Sequence, residues 1–383
     1  MKRILAILLC LCMTLAIVAC NAGDTETSTE STTTAAPATS ESATESETET
    51  GAEDVKTEAD YKLGMGVVVS MDSSKTGNAQ VDATVATVVT DADGKIVACR
   101  IDVAQNKMKV EGGAVVTDAT YKTKMELGDA YGMAPAKIDN DGNGVTKEWY
   151  EQAKAFEAYV VGKTVAEVEA IKTQEAGGHQ IAVDQALLDA GCSMQITDFI
   201  AAVAAACKDE QGMAFKAVAD TFTLGVAATT AAADSKAASA EEDGLVAMYT
   251  DFAATVVVDG KIVAAVNDAI QPKITINAAG EIVAKEYKAT KRNLKDEYGM
   301  APAVNFGMDW NGDGKVLEWY LQSAEFSKHV VGKTAAEVEA LATKTVEGHG
   351  YVISADDALL TAGCTIQITA IKAVVAQSVK NAR

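Results

Sequence analysis

Tyr131-Gly-Met-Ala-Pro-Ala136 returns as Tyr298-Gly-Met-Ala-Pro-Ala303, and this repetition decides the architecture. Other stretches recur in the same order around it. Glu148-Trp-Tyr150 returns at Glu318 to Tyr320, Val160-Val-Gly-Lys-Thr164 at Val330 to Thr334, and Gly178-His179 at Gly348-His349. Ala190-Gly-Cys-Ser-Met-Gln-Ile-Thr197 returns as Ala362-Gly-Cys-Thr-Ile-Gln-Ile-Thr369. The offset drifts only from 167 residues at Tyr131 and Tyr298 to 172 at Cys192 and Cys364, far longer than a solenoid period. The chain therefore holds two related repeats, assigned to residues 61–212 and 213–383.

Each repeat reads as strands followed by helices. Val81 to Thr90 and Asp251 to Val258 are rich in Val, Thr and Ala, and each runs through an Asp-Gly-Lys turn, at Asp93 or Asp259. A second apolar run follows, Ile96 to Cys99 or Ile262 to Val266, the pattern of a β-hairpin. Further strands are expected around Lys107 to Thr117 and Lys273 to Tyr287. Trp149, Ala153, Phe156 and Val160 then share one helical face, as do Trp319, Ser323, Phe326 and Val330. Gly162 or Gly332 stops that helix, and Thr164 with Glu167, or Thr334 with Glu337, has the spacing of a capping box. The expected fold class is α+β, each repeat an antiparallel sheet packed with helices.

Lys2-Arg3 precede an apolar run from Ile4 to Ala19, too short for a membrane span and suited to a secretory signal. It closes on Ile17-Val-Ala-Cys20, which resembles a bacterial lipobox. The resemblance implies a lipoprotein signal peptide over residues 1–19 and a lipidated Cys20. Residues 20–60 form a Thr/Ser/Glu-rich linker with little to bury, expected to be a disordered tether. From Asn21 to Asp60 it carries eleven carboxylates and one lysine, about half of the formal charge of −21. That acidity argues against nucleic-acid binding. The expected location is extracytoplasmic, anchored by lipid to the outer face of the cytoplasmic membrane.

Cys99, Cys192, Cys207 and Cys364 lie beyond the signal and tether, and only Cys192 and Cys364 correspond between repeats. They read as small buried hydrophobes rather than a disulfide framework.

Gly191-Cys192-Ser193 and Gly363-Cys364-Thr365 each stand before a helix-like apolar stretch, Phe199 to Cys207 or Ile371 to Val379. With the Asp-Gly-Lys-Ile hairpins, these turns resemble the FMN-binding domain family of extracytoplasmic flavin carriers. In that family a Ser-Gly-Ala-Thr-like turn leads into a helix, and the threonine carries FMN through a phosphoester. Here cysteine replaces the family's alanine, and Gln195 or Gln367 stands two places after the hydroxyl residue. The resemblance implies FMN as cofactor, bound at Gly363, Cys364 and Thr365 and in the first repeat at Gly191, Cys192 and Ser193. A glycine there would let backbone approach a phosphate at a helix N-terminus. On the residues alone, the same turns can be tight strand-to-helix connections with Ser193 and Thr365 as N-caps.

Asp139-Asn-Asp-Gly-Asn-Gly144 and Asp309-Trp-Asn-Gly-Asp-Gly314 place side-chain oxygens at loop positions 1, 3 and 5, with glycine at 6. That is the alternation of EF-hand-type calcium loops, with Asp139, Asp141 and Asn143, or Asp309, Asn311 and Asp313, as Ca²⁺ ligands. Position 12 is Tyr150 or Tyr320 rather than a bidentate acid, while Glu148 and Glu318 fall at position 10. The alternative is a solvated Asx turn. His179 and His349 read as loop residues, and no hydrolase triad or P-loop is present. The functional expectation is a flavin-associated electron-transfer or redox accessory protein with redox partner proteins. Its alternative is a non-catalytic surface binding or structural lipoprotein.

Overall fold

The computed structural model describes residues 57–383, apart from Ile138 and Val145. The signal peptide, Cys20 and the tether as far as Lys56 lie outside the described residues.

The first repeat opens with β1 (Glu58–Ser70), β2 (Asn78–Asp91) and β3 (Ile96–Lys109), followed by α1 (Lys124–Leu127), α2 (Trp149–Val160) and α3 (Val165–Glu169). A ribbon of β4 (Thr173–Ala176) and β5 (His179–Ala182) leads to α4 (Gln185–Asp189) and α5 (Thr197–Cys207). The second repeat begins with β6 (Met213–Val218), β7 (Thr223–Ala231), β8 (Gly244–Val246), β9 (Tyr249–Val258) and β10 (Lys261–Ile270). After β11 (Lys273–Ile276) and β12 (Ile282–Glu286) come α6 (Lys291–Leu294), α7 (Trp319–His329) and α8 (Ala335–Glu339). The ribbon β13 (Thr343–Thr345) and β14 (Val352–Ser354) precedes α9 (Asp357–Thr361) and α10 (Thr369–Lys380).

The fold class is α+β, and every paired strand is antiparallel. One sheet runs β3-β2-β1-β6 and another β10-β9-β7, with a small third sheet β12-β11-β8. The two larger sheets bury their inner faces together: Leu63, Met65 and Val85 share a core with Val226, Phe252 and Val256. Outside them, Trp149, Phe156 and Phe199 cover Ala86, Val88 and Ile101, while Phe326, Ile371 and Val375 cover Ala227, Ala253 and Ala265. The layers are helix, sheet, sheet, helix. A sheet buried on both faces needs uninterrupted apolar strands, and this is why β2 is buried at nearly every position.

Residues 57–383 belong to one compact unit. β6 lies past the 212/213 boundary, yet pairs with β1, with Phe215 opposite Tyr61. The first strand of each sheet, β1 or β7, is absent from the hairpin reading of the sequence. β1 starts inside the segment assigned to the tether, and both strands carry glycine. At Gly64 a Cβ would stand 2.1 Å from the Ala206 carbonyl oxygen, and at Gly225 1.9 Å from that of Ser378. Helix backbone lies directly on these strands, so glycine is retained against β propensity. The strand expected around Lys107 to Thr117 is the tail of β3 followed by a 3₁₀ turn, because Gly112 and Gly113 take φ of 63° and 73°. Its counterpart in the second repeat forms β11 and β12. Among the described residues no helix is long and apolar enough to cross a membrane.

Candidate functional site

The two cysteine turns are helix-to-helix joints rather than strand-to-helix ones. Gly191 ends α4 with φ 84° and Gly363 ends α9 with φ 89°. Their N–H groups donate to the carbonyls of Leu188 and Leu360, and those of Cys192 and Cys364 to Leu187 and Leu359. This is the Schellman pattern, in which glycine accepts the left-handed conformation that stops a helix. The N-cap positions of α5 and α10 are Ile196 and Ile368, so Ser193 and Thr365 do not cap them. The helix N-termini expected at the hydroxyl residues lie several positions further on.

A glutamine holds each turn. Gln152 Oε1 accepts from Ser193 N and Met194 N at 3.0 Å, and Gln322 Oε1 accepts from Thr365 N at 2.7 Å. The Thr365 hydroxyl also donates to Gln322 Oε1, at 3.3 Å. Each Nε2 donates back to the loop before its own helix, at Lys147 O or Leu317 O. Ser193 and Thr365 are 3% and 5% exposed, and the adjacent Cys192 and Cys364 are fully enclosed. Burial pushes both thiols up to about 12, which keeps them protonated and unreactive. Cys99 is likewise buried, Cys207 is half-buried, and all four thiols are free.

As folded, these residues do not fit an FMN phosphoester. The acceptor hydroxyl is buried and already bonded, and the flank of Gly363 is filled: a Cβ there would stand 2.6 Å from Leu317 Cδ1. At Gly191 the same space holds the Lys147 stem, and the Lys147 ammonium donates to Ala190 O at 2.8 Å. A glycine whose open side is occupied offers no close approach to a phosphate.

The acidic loops lie beside these turns. Asn140 Nδ2 donates to Ser193 O, and Asn311 Nδ2 to Leu360 O, each at 2.9 Å. Asp139 accepts from Gly142 N and Gly144 N, and Asp309 from Gly312 N, Asp313 N and Gly314 N, so the first-position carboxylate closes each loop. Fifth-position Asn143 bonds back to Asp141, and Asn311 to Asp313. At the third position, Asp141 Oδ1 and Asn311 Oδ1 are enclosed and accept no hydrogen bond. Glu148 and Glu318 turn away from the loops. Their carboxylates take the amides of Met133 and Ala134, or of Met300 and Ala301, and are 5% and 6% exposed. Among the described residues no group of three or more His, Cys, Asp or Glu side chains is placed to hold a metal.

These contacts explain the repeated words of the sequence. The Tyr-Gly-Met-Ala-Pro stretch offers two amides to a buried glutamate, and its tyrosine packs under a lysine: Lys124 lies 4.9 Å from the Tyr131 ring centre, Lys291 5.1 Å from that of Tyr298. Gly162 and Gly332 tie the helix ends to the sheets through Ile96 O and Ile262 O. The capping boxes at Thr164 and Thr334 form as expected. His179 and His349 are exposed, and His349 stacks near Trp310 and Tyr351. Tyr159 donates to Asp184, while its counterpart His329 sits 3.7 Å from Asp356.

Sequence reading missed a second doubled pair. Asp102 Oδ1 accepts from Val103 N and Met125 N, and Asp268 Oδ1 from Ala269 N and Arg292 N, with Thr123 or Thr290 bonding each carboxylate. Loss of hydration raises both, Asp102 to about 7. The signal was an aspartate at the equivalent place in one strand of each repeat, followed by an apolar residue, Val103 or Ala269.

Over an alignment of 100 residues the chain is 36% identical to a chlorophenol reductase of Desulfitobacterium hafniense. The match covers 22% of this chain and 28% of that protein. No family model and no solved structure matches the chain.

Proposed function

We propose that this chain is a non-catalytic binding module, tethered by lipid to the outer face of the cytoplasmic membrane, in which the flavin-type turns serve as structural joints. The observation that carries this reading is the closure of the Thr365 hydroxyl on Gln322, with Leu317 filling the flank of Gly363. The location rests on the signal-like run, Cys20 and the acidic tether. Calcium enters the reading as a weak ordering ion of the acidic loops, supported by the unpartnered third-position oxygen found in both.

The test is full-length protein taken from its native membrane, where any flavin transferase of the host has had access to it. The expected protein is colourless, with an unmodified Thr365 peptide and a lipid on the Cys20 peptide by mass spectrometry. An FMN-sized adduct on Thr365, lost in Thr365→Val, would reinstate the electron-transfer reading. An unlipidated mature N-terminus elsewhere would remove the anchor.

A further inference from the structure

At the seam between the repeats lies an open cleft of about 680 Å³, in the range of roughly 300–1,000 Å³ that small-molecule sites occupy. One wall is apolar: Tyr61, Phe222 and Leu224 line it, and Tyr61 and Phe222 meet edge to face with centroids 5.3 Å apart. The other presents Arg100, Lys154 and Arg383.

The cations are not fully used by the protein. Glu157, 3% exposed, accepts both of its bonds to Arg383 from Nη2, at 3.0 and 2.8 Å, and a third bond from Ile101 N. Arg100 Nη1 stands 3.7 Å from the same carboxylate and donates to Cys99 O, while Nη2 donates to the main-chain oxygen of Arg383. Arg100 Nε is enclosed and has no hydrogen-bond partner. Lys154 rests over the Tyr150 ring, 5.0 Å from its centre, and among the described residues no carboxylate pairs with it. The remaining side-chain acid of the lining, Asp220, has a partner of its own. That N–H is shut away from solvent, so the exposed Lys154 ammonium is the cation left to pair with an anion entering the cleft.

The cluster also breaks the internal symmetry. Asp102, Glu148 and Gln152 all have counterparts with the same contacts. Glu157, Lys154 and Arg100 correspond instead to Ser327, Ala324 and Val266, and the second repeat uses a neutral network of Asn267, Ser323 and Ser327 there. The doubled polar groups hold the fold. The undoubled set lines the cleft.

We infer that this cleft binds a small aromatic monoanion, its ring against Tyr61 and Phe222 and its carboxylate or equivalent acid group on Arg100, Lys154 and Arg383. This deepens the binding-module reading by naming the ligand class, and it rests on that reading. The probe is 2-naphthoate, titrated into the full-length protein by calorimetry, with 2-naphthylmethylamine and inorganic phosphate as comparators. Saturable one-to-one binding of naphthoate is expected, with neither comparator matching it. Lys154→Gln and Phe222→Ala should each weaken it roughly tenfold, about the loss of one charge-assisted or aromatic contact. Near-ultraviolet circular dichroism checks that both variants keep the native fold. No saturable heat at millimolar naphthoate, equal binding of the amine, or affinity unchanged in both variants would each overturn the assignment. A flavin adduct on Thr365 would overturn the non-catalytic reading while leaving the naphthoate result to stand on its own.

Discussion

Arg292 and Asp209 form a two-point ion pair across the repeats, at 3.1 and 3.2 Å, with side chains only 6% and 7% exposed. Asp209 also accepts from Met65 N, so one carboxylate joins α5's exit, β1 and α6. Removing one partner strands a buried charge. Asp209→Ala should therefore lower stability by roughly 3–5 kcal/mol in urea unfolding, while Asp209→Leu with Arg292→Met should recover most of it. A loss below about 1 kcal/mol in the single variant would mean that the pair is hydrated in solution.

The close approach of α5 to β1 makes a sharper packing prediction. Gly64→Ala would put a methyl group 2.1 Å from the Ala206 carbonyl oxygen, a backbone atom that cannot rotate away. Destabilisation of about 1–3 kcal/mol or more is expected. The control is Gly212→Ala, whose site is also crowded but lies in the loop after α5. An effect at Gly64 no larger than at Gly212 would show that the helix yields easily.

Asp102 gives the chain a pH dependence of definite sign. Burial raises its carboxyl from 3.8 to about 7, so between those values the folded protein holds a proton that the unfolded chain has released. Stability contributed there is complete at low pH and is lost as pH rises from about 4 to about 7. Asp268 and Asp251 are raised by the same cause, Asp251 to about 6, and add slope of the same sign. Asp102→Asn keeps an acceptor for Val103 and Met125 and removes the charge. Urea midpoints measured from acid to neutral pH should fall less steeply in the variant, and an unchanged slope would place the titration elsewhere.

Elements governed by neighbouring residues were legible in the sequence, and contacts across the chain were not. The Asp93 and Asp259 hairpins, the helix from Trp149 and the capping box at Thr164 each follow from a few consecutive positions. β1 was hidden because Gly64 and Gly66 answer to a helix about 140 positions further on, and sequence periodicity does not register that. Gly363 and Thr365 read as a phosphate turn, since a Schellman glycine and a phosphate-binding glycine share the same local pattern. Gln322, 43 positions before Thr365, and Leu317, which fills the flank of Gly363, distinguish them. The seam cluster joins Glu157 to Arg383 over 226 positions and lacks the repetition that exposed the other polar groups.

Gln152 and Gln322 should therefore matter more than their position on a helix suggests. Gln322→Leu would leave Thr365 N and its hydroxyl without their acceptor in a buried site, costing roughly 1–3 kcal/mol. Gln322→Glu supplies an acceptor but no donor for Leu317 O, so it should recover only part of the loss at neutral pH. Thermal unfolding of the three proteins ranks them. A variant ranking of leucine equal to wild type would mean that water replaces the clamp.

The calcium loops can be followed through a reporter that the second one contains. Trp310 occupies position 2, stacked on Tyr351 at 5.0 Å, whereas Trp149 and Trp319 are buried in the helix cores. An ion drawn to Asp309, Asn311 and Asp313 would shift the loop backbone beneath that ring and change its fluorescence. Because position 12 is Tyr320, and Glu318 at position 10 is committed to Met300 and Ala301, the loop lacks a bidentate acid and binding should be weak, with Kd about 10⁻⁴–10⁻³ M. Asp309→Ala removes the carboxylate that closes the loop and should abolish the response along with its local order. Asp313→Asn keeps an oxygen at position 5 and removes only charge, so it should weaken calcium several-fold while leaving the metal-free spectrum unchanged. Magnesium, which demands a tighter octahedral shell, should produce a smaller response at the same concentration. A flat titration in wild-type protein through several millimolar calcium would leave the second loop as an Asx turn.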